Sequence, residues 1–124
     1  MNLPHASDSA VQQRAEAVIR DLLADRLGVP LEAKSLKLAG GSRVDVDAAS
    51  PDNGVIGEIF ARQGKLKGGQ QKKVAIDTLK LITLRKVHPE AKLVLAFADE
   101  EAATYATVGG WVAQALREWN VDVE

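Results

Sequence analysis

The chain contains no cysteine, which excludes disulfides, thiolate zinc sites and cysteine nucleophiles. Aromatic residues make up only 4% of it, too few for a base-stacking platform of the single-strand type. Long apolar runs are missing too. No stretch approaches the roughly 18 apolar residues of a membrane span, and Met1-Asn2-Leu3-Pro4-His5 leads into polar residues without an apolar signal core. A cytoplasmic, reduced protein is the expectation. Neither charge sign dominates: with a net charge of −1, the whole chain is no general polyanion binder, so attraction to nucleic acid has to be local. No Walker loop, dinucleotide fingerprint or serine elbow occurs, and His5 and His88 do not form a metal pair by spacing.

What is present fits a soluble globular protein. The 124 residues, 46% apolar and 27% charged, suit a single domain over residues 1–124 with a real core. Its organising stretch is Gly40–Lys73. There Arg43-Val44-Asp45-Val46-Asp47 and Val55-Ile56-Gly57-Glu58-Ile59-Phe60-Ala61-Arg62 alternate apolar and polar residues, the period of a half-buried strand. Ala49-Ser50-Pro51-Asp52-Asn53-Gly54 between them is a dense turn signal, so the pair reads as a β-hairpin. Asp45 and Asp47 share one face of their strand, and Glu58, Phe60 and Arg62 share one face of theirs. Such a hairpin can bring carboxylates together at a metal.

Taken in order, the chain opens with a loose lead-in over residues 1–7, and Ser7 or Asp8 caps a helix from about Ser9 to Leu27. Val11, Ala15, Val18, Ile19, Leu22, Leu23 and Leu27 follow helical spacing and predict an inward face. Leu31–Ser35 connects, Leu36–Ala39 is a short strand, and Gly40-Gly41 permits the reversal into the hairpin. A basic loop over 63–69 precedes a helix from about Gln70 to Val87, ended by His88-Pro89. Lys92–Ala98 is nearly continuously apolar, as in a strand buried on both faces. A short helical segment capped by Asp99, a helix over 111–119 and an edge strand at Val121-Asp122-Val123 complete the order. The result is one α/β domain, a mixed sheet with helices on its faces. A free edge at 121–123 offers a route to homodimerisation.

The helix after the hairpin is apolar over most of its circumference, which predicts that it is largely buried. Gln70, Lys73, Asp77 and Lys80 form one polar stripe on it, either a solvent-facing seam with an i,i+4 Lys73–Asp77 pair or a half-buried one in which the hairpin acids are partners for Lys73. From Ile59 to Ile76 the chain carries Arg62, Lys65, Lys67, Lys72 and Lys73 and no acid. Phosphodiester chemistry that depends on a metal uses both features, acids for the cation and bases for the backbone phosphates.

Helix, three-stranded meander, helix, strand, with Asp47 late in the second strand and Glu58 at the acidic position of the acid-x-Lys triplet in the third, resembles the core of the PD-(D/E)XK (restriction-endonuclease-like) nuclease superfamily over roughly residues 9–98. The runs Glu58-Ile59-Phe60-Ala61-Arg62-Gln63-Gly64 and Lys67-Gly68-Gly69-Gln70 also resemble a group of small bacterial proteins. The resemblance implies an αβββαβ core, extended here by a C-terminal helix and strand. It implies Asp47 and Glu58, with Asp45, as ligands of Mg²⁺ or Mn²⁺. It further implies a helical acid at Glu16, and Gln70 orienting substrate or water beside Lys73. Arg62, Lys65, Lys67 and Lys72 would contact nucleic acid. The triplet departs from the pattern at Phe60, which stands where active members carry the lysine that orients water and offsets charge. Arg62 or Lys73 would have to supply that cation. The expected function is therefore a metal-dependent nuclease, or a module that keeps the nuclease fold and binds protein or nucleic acid without chemistry.

Overall fold

The structure, a computed structural model, describes the backbone of residues 4–124 and the side chains from Ala10 onward. Its elements are α1 (Pro4–Leu27), β1 (Glu32–Lys37), β2 (Arg43–Ala49), β3 (Val55–Phe60), α2 (Gly68–Leu84), β4 (Lys92–Phe97), α3 (Glu100–Thr107), α4 (Gly110–Glu118) and β5 (Val121–Val123). The sheet runs β1-β2-β3-β4-β5. β1–β2 and β2–β3 are antiparallel, whereas β3–β4 and β4–β5 are parallel. Each parallel step needs a crossover, and right-handed crossovers that advance in one direction leave their helices on one face. Accordingly α2, α3 and α4 share a core with one side of the sheet through Ile56, Leu81, Leu84, Leu93, Leu95, Ala102 and Leu116. On the other side α1 lies alone, packing Leu23, with Ile19 and Leu27, on Ala48, Ile59, Val94 and Ala96. The mixed α/β architecture expected from the sequence is present, with β5 at a sheet edge.

Alternation along β3 sends Ile56 and Phe60 into the α2-side core and Ile59 into the α1-side core. Gly57 sits where β3 approaches β4 closely, since a Cβ there would lie 3.0 Å from the Val94 carbonyl oxygen. The turn between β2 and β3 is built by its polar side chains. Asp52 Oδ1 accepts from Ser50 Oγ and from Gly54 N–H, and Ser50 Oγ accepts from Val55 N–H.

β2 is interrupted. Between the partners Lys34↔Val46 and Glu32↔Ala49, β1 advances by two residues and β2 by three. The extra residue is a β-bulge at Asp47-Ala48, which turns the strand. Val46 therefore packs in the α2-side core and Ala48, two residues on, in the α1-side core.

Several elements differ from expectation. α1 begins at Pro4, so residues 4–7 of the expected lead-in are helical while 1–3 lie outside the described residues, and Ser7 and Asp8 lie within the helix rather than capping it; proline, lacking an N–H, suits a first helical turn. β1 takes in Glu32–Ser35, which reads as a connection because an edge strand needs few apolar residues and only Leu36 is buried in this one. α2 spans Gly68–Leu84 rather than 70–87. The predicted inward face of α1 is split, with Val11, Val18 and Leu22 53%, 58% and 62% exposed, because a lone helix on a sheet buries one side only. For the same reason α2 is not buried all round: Ile76 and Leu79 face outward.

Candidate active site

The β2–β3 ladder holds only Ala48↔Gly57 and Ala49↔Ile56 before the strands part. Acid side chains fill the gap. Asp47 Oδ2 accepts from Ile59 N–H at 2.8 Å, and Glu58 Oε1 accepts from Asp47 N–H at 3.3 Å. Each carboxylate stands in for a carbonyl of the interrupted ladder, so backbone donors remain satisfied while two acids are drawn between the strands. The bulge makes this offset, and α1 braces it: Arg20 Nε donates to the Asp47 carbonyl at 2.7 Å.

The polar stripe of α2 closes the gap from the sheet's other layer. Lys80 Nζ donates to the Asp45 carbonyl at 2.9 Å and lies 3.4 Å from Glu58 Oε2 and 3.9 Å from Asp77 Oδ1. Lys73 Nζ lies 2.5 Å from Asp77 Oδ2 and, on its other side, 4.9 Å above the Phe60 ring centroid. Phe60 in turn stacks on Phe97 with centroids 4.8 Å apart. The i,i+4 Lys73–Asp77 pair read from the sequence is thus formed, with its lysine open to solvent as a seam would have it but its acid buried: Asp77 is 3% exposed. Glu58 is 2% exposed.

The electrostatics follow from burial and crowding. Burial, then the charges of Asp47 and Asp77, push the Glu58 carboxyl up to about 8, against the opposing pull of Lys80 and Lys73. At neutral pH it holds a proton. Glu16 on α1 is also raised, first by burial and then by Asp47, so the helical acid stands within electrostatic reach of the cluster. For Lys73 burial opposes the charge, but contact with Asp77 and the fields of Asp77, Glu58 and Asp47 outweigh it and hold the pKa above the ordinary lysine value. Lys73 is consequently a fixed positive charge and cannot serve as a base near neutrality.

The remaining predicted residues stand outside this knot. The Asp45 side chain is exposed, and only its backbone carbonyl enters, through Lys80. Gln70 Oε1 accepts from Lys67 N–H at 3.1 Å and closes the first turn of α2. Arg62, Lys65, Lys67 and Lys72 are exposed around the loop that leads into α2. That loop is anchored by buried Leu66 and by Gly64 N–H donating to Asp99 Oδ2. Sequence reasoning assigned no site role to Asp77 or Lys80. The signal was there, as polar residues at helical spacing on an otherwise apolar helix.

Asp47 and Glu58 fit a small hard cation in donor chemistry, being neighbouring carboxylates in the gap between β2 and β3. Among the described residues no trio of histidine, aspartate and glutamate side chains is arranged to enclose an ion. The fit is to a two-carboxylate site that takes its other ligands from water and substrate, a mode common for Mg²⁺. No protein-family model matches the chain, and no curated protein or solved structure matches it.

Proposed function

We propose that the chain is a metal-dependent nuclease of the PD-(D/E)XK type, with its site in the gap between β2 and β3. The observation that carries this reading is the Lys73 ammonium over the Phe60 ring, 4.9 Å from its centroid. The triplet lacks its lysine in sequence, and a lysine from the following helix supplies a cation at that position in space. In this reading Asp47 and Glu58 hold Mg²⁺ or Mn²⁺, which supplies a lowered water pKa and charge neutralisation when bound. Lys73, kept charged by Asp77, offsets negative charge that builds on phosphorus. Arg62, Lys65, Lys67 and Lys72 bind flanking phosphates, and Gln70 braces the helix start beside them.

The test is cleavage of DNA and RNA by purified protein with Mg²⁺ or Mn²⁺, alongside thermal unfolding with and without Mn²⁺. Expected are cation-dependent cleavage, a Mn²⁺-induced rise in Tm that Asp47→Asn removes, and a loss of roughly 10²–10³ in rate for Lys73→Met. Absence of both cleavage and the Tm rise defeats the proposal. A second reading draws on Lys80, whose ammonium already approaches Glu58 Oε2 at 3.4 Å: an internally neutralised cluster that keeps the fold for contact with nucleic acid or protein. That reading expects no Mn²⁺ effect, with any nucleic-acid binding falling steeply as salt rises.

A further inference from the structure

Away from the acid cluster, the opposite flank of α2 and the outer side of α4 form an exposed apolar face. Both helices connect parallel strands on one face of the sheet, so they run in the same direction. Their C-terminal ends are tied together by the Arg85 guanidinium, which donates to the Trp119 carbonyl and, at 2.9 Å, to that of Asn120. Between them lies a shallow cleft of about 150 Å³ lined by Ala75, Leu79, Ile82, Trp111, Ala115 and Trp119. Ile76 and Leu79 are each 63% exposed, Trp111 75% and Trp119 57%. An open indole side chain presents roughly 250 Å², so the two tryptophans alone offer about 300 Å². A stable interface takes ~800 Å² from each partner; Ile76, Leu79 and neighbouring Val108, itself 70% exposed, extend the apolar part of that area, and the flanking polar side chains make up its rim.

Charge selects the occupant. Lys72, Ile76, Leu79 and Thr83 follow one another at helical spacing along α2, and Lys86 continues the line just past its end. Glu118 stands on the outer flank of α4 at the same end of the groove, where Arg85 joins the helices. The surface thus carries lysines beside one wall and Glu118, next to the exposed Arg117, beside the other, with apolar residues between.

We propose that this face is an interface between two copies of the chain, related by a two-fold axis along the groove that lays α2 of each copy over α4 of the other. Lys86 of each copy then meets Glu118 of the second, and Ile76 and Leu79 meet Trp111. Such a contact is isologous and closes as a dimer. Lys73 and Lys80 stand one turn before and after Ile76, at the border of the interface, while Asp77 is buried against the sheet, so the acid cluster opens beside the contact.

Mass in solution tests this directly, by light scattering on a sizing column and by sedimentation from 1 to 100 μM. The chain has no tryptophans other than these two, so intrinsic emission reports on the face without labels. Expected are a dimer mass at the higher concentrations and an emission maximum that moves to shorter wavelength with association. Trp111→Lys should give a monomer with unchanged circular dichroism. Glu118→Lys should weaken the dimer tenfold or more, and Lys86→Glu combined with Glu118→Lys should restore it. Monomer mass throughout overturns the proposal. So does a dimer that survives Trp111→Lys, or one broken instead by Val18→Lys on the exposed stripe of α1.

Discussion

Glu58 is the residue whose chemistry differs most from its sequence appearance. In the unfolded chain its carboxyl ionises near 4.5, and in the folded protein at about 8. Between those values the native state keeps a proton that the unfolded state has released, so stability falls as pH rises through the window and levels off above it. Glu16, also raised, acts in the same direction. Denaturant unfolding in EDTA from pH 5 to 9 should show this decline, and Glu58→Gln should flatten most of it. Asp47 and Glu58 were legible as neighbours because alternation and a turn signal fix which strands pair. Their burial was not, since it depends on the ladder stopping after Ala48↔Gly57 and on α2 closing from the other layer. The sequence offered Arg62 and Lys73 as cations to stand near Phe60; that Lys73 lies over the ring was not legible, since it depends on how α2 packs against β3.

Among the elements, those with strong periodicity or punctuation were readable and those at margins were not. The buried run of β4, the hairpin turn and the Asp99 cap all carry local signals, and Asp99 Oδ1 does accept from Ala102 N–H at 2.7 Å. β1 lacked such a signal because an edge strand can be almost wholly polar. α2 departs from a default: it packs Val74, Leu81 and Leu84 into the core with Asp77 buried beside them, while its apolar Ile76 and Leu79 face outward. Asp99 links two elements, since its second oxygen holds Gly64 of the basic loop. Asp99→Ala should cost about 1 kcal/mol in equilibrium unfolding and speed amide exchange at Gly64. In the proposed nuclease it should weaken nucleic-acid binding more than it slows turnover at saturation.

At the scale of the whole molecule, protection is graded across the sheet. β4 is paired on both sides and covered on both faces, whereas β1 is an edge with little buried. Native-state hydrogen exchange should therefore be slowest at Leu93–Phe97, opening only with global unfolding, and fastest among the strands in β1. The α/β layering was legible from the order of elements. The distribution of helices, three on one face and one on the other, depends on crossover handedness rather than on any residue, and it is this imbalance that leaves α1 and α2 with exposed apolar stripes.

The bulge at Asp47-Ala48 has a further consequence for how this chain tolerates change. Removing a single residue between Val46 and Ala49 would restore simple alternation to β2, leave Val46 and Ala49 on the layer they already share, and remove the offset that turns the Asp47 amide and carboxylate toward β3. The reversal at Ala39–Ser42, by contrast, can lengthen or shorten without touching either. Over four positions of β2, residue count constrains this protein more tightly than residue identity.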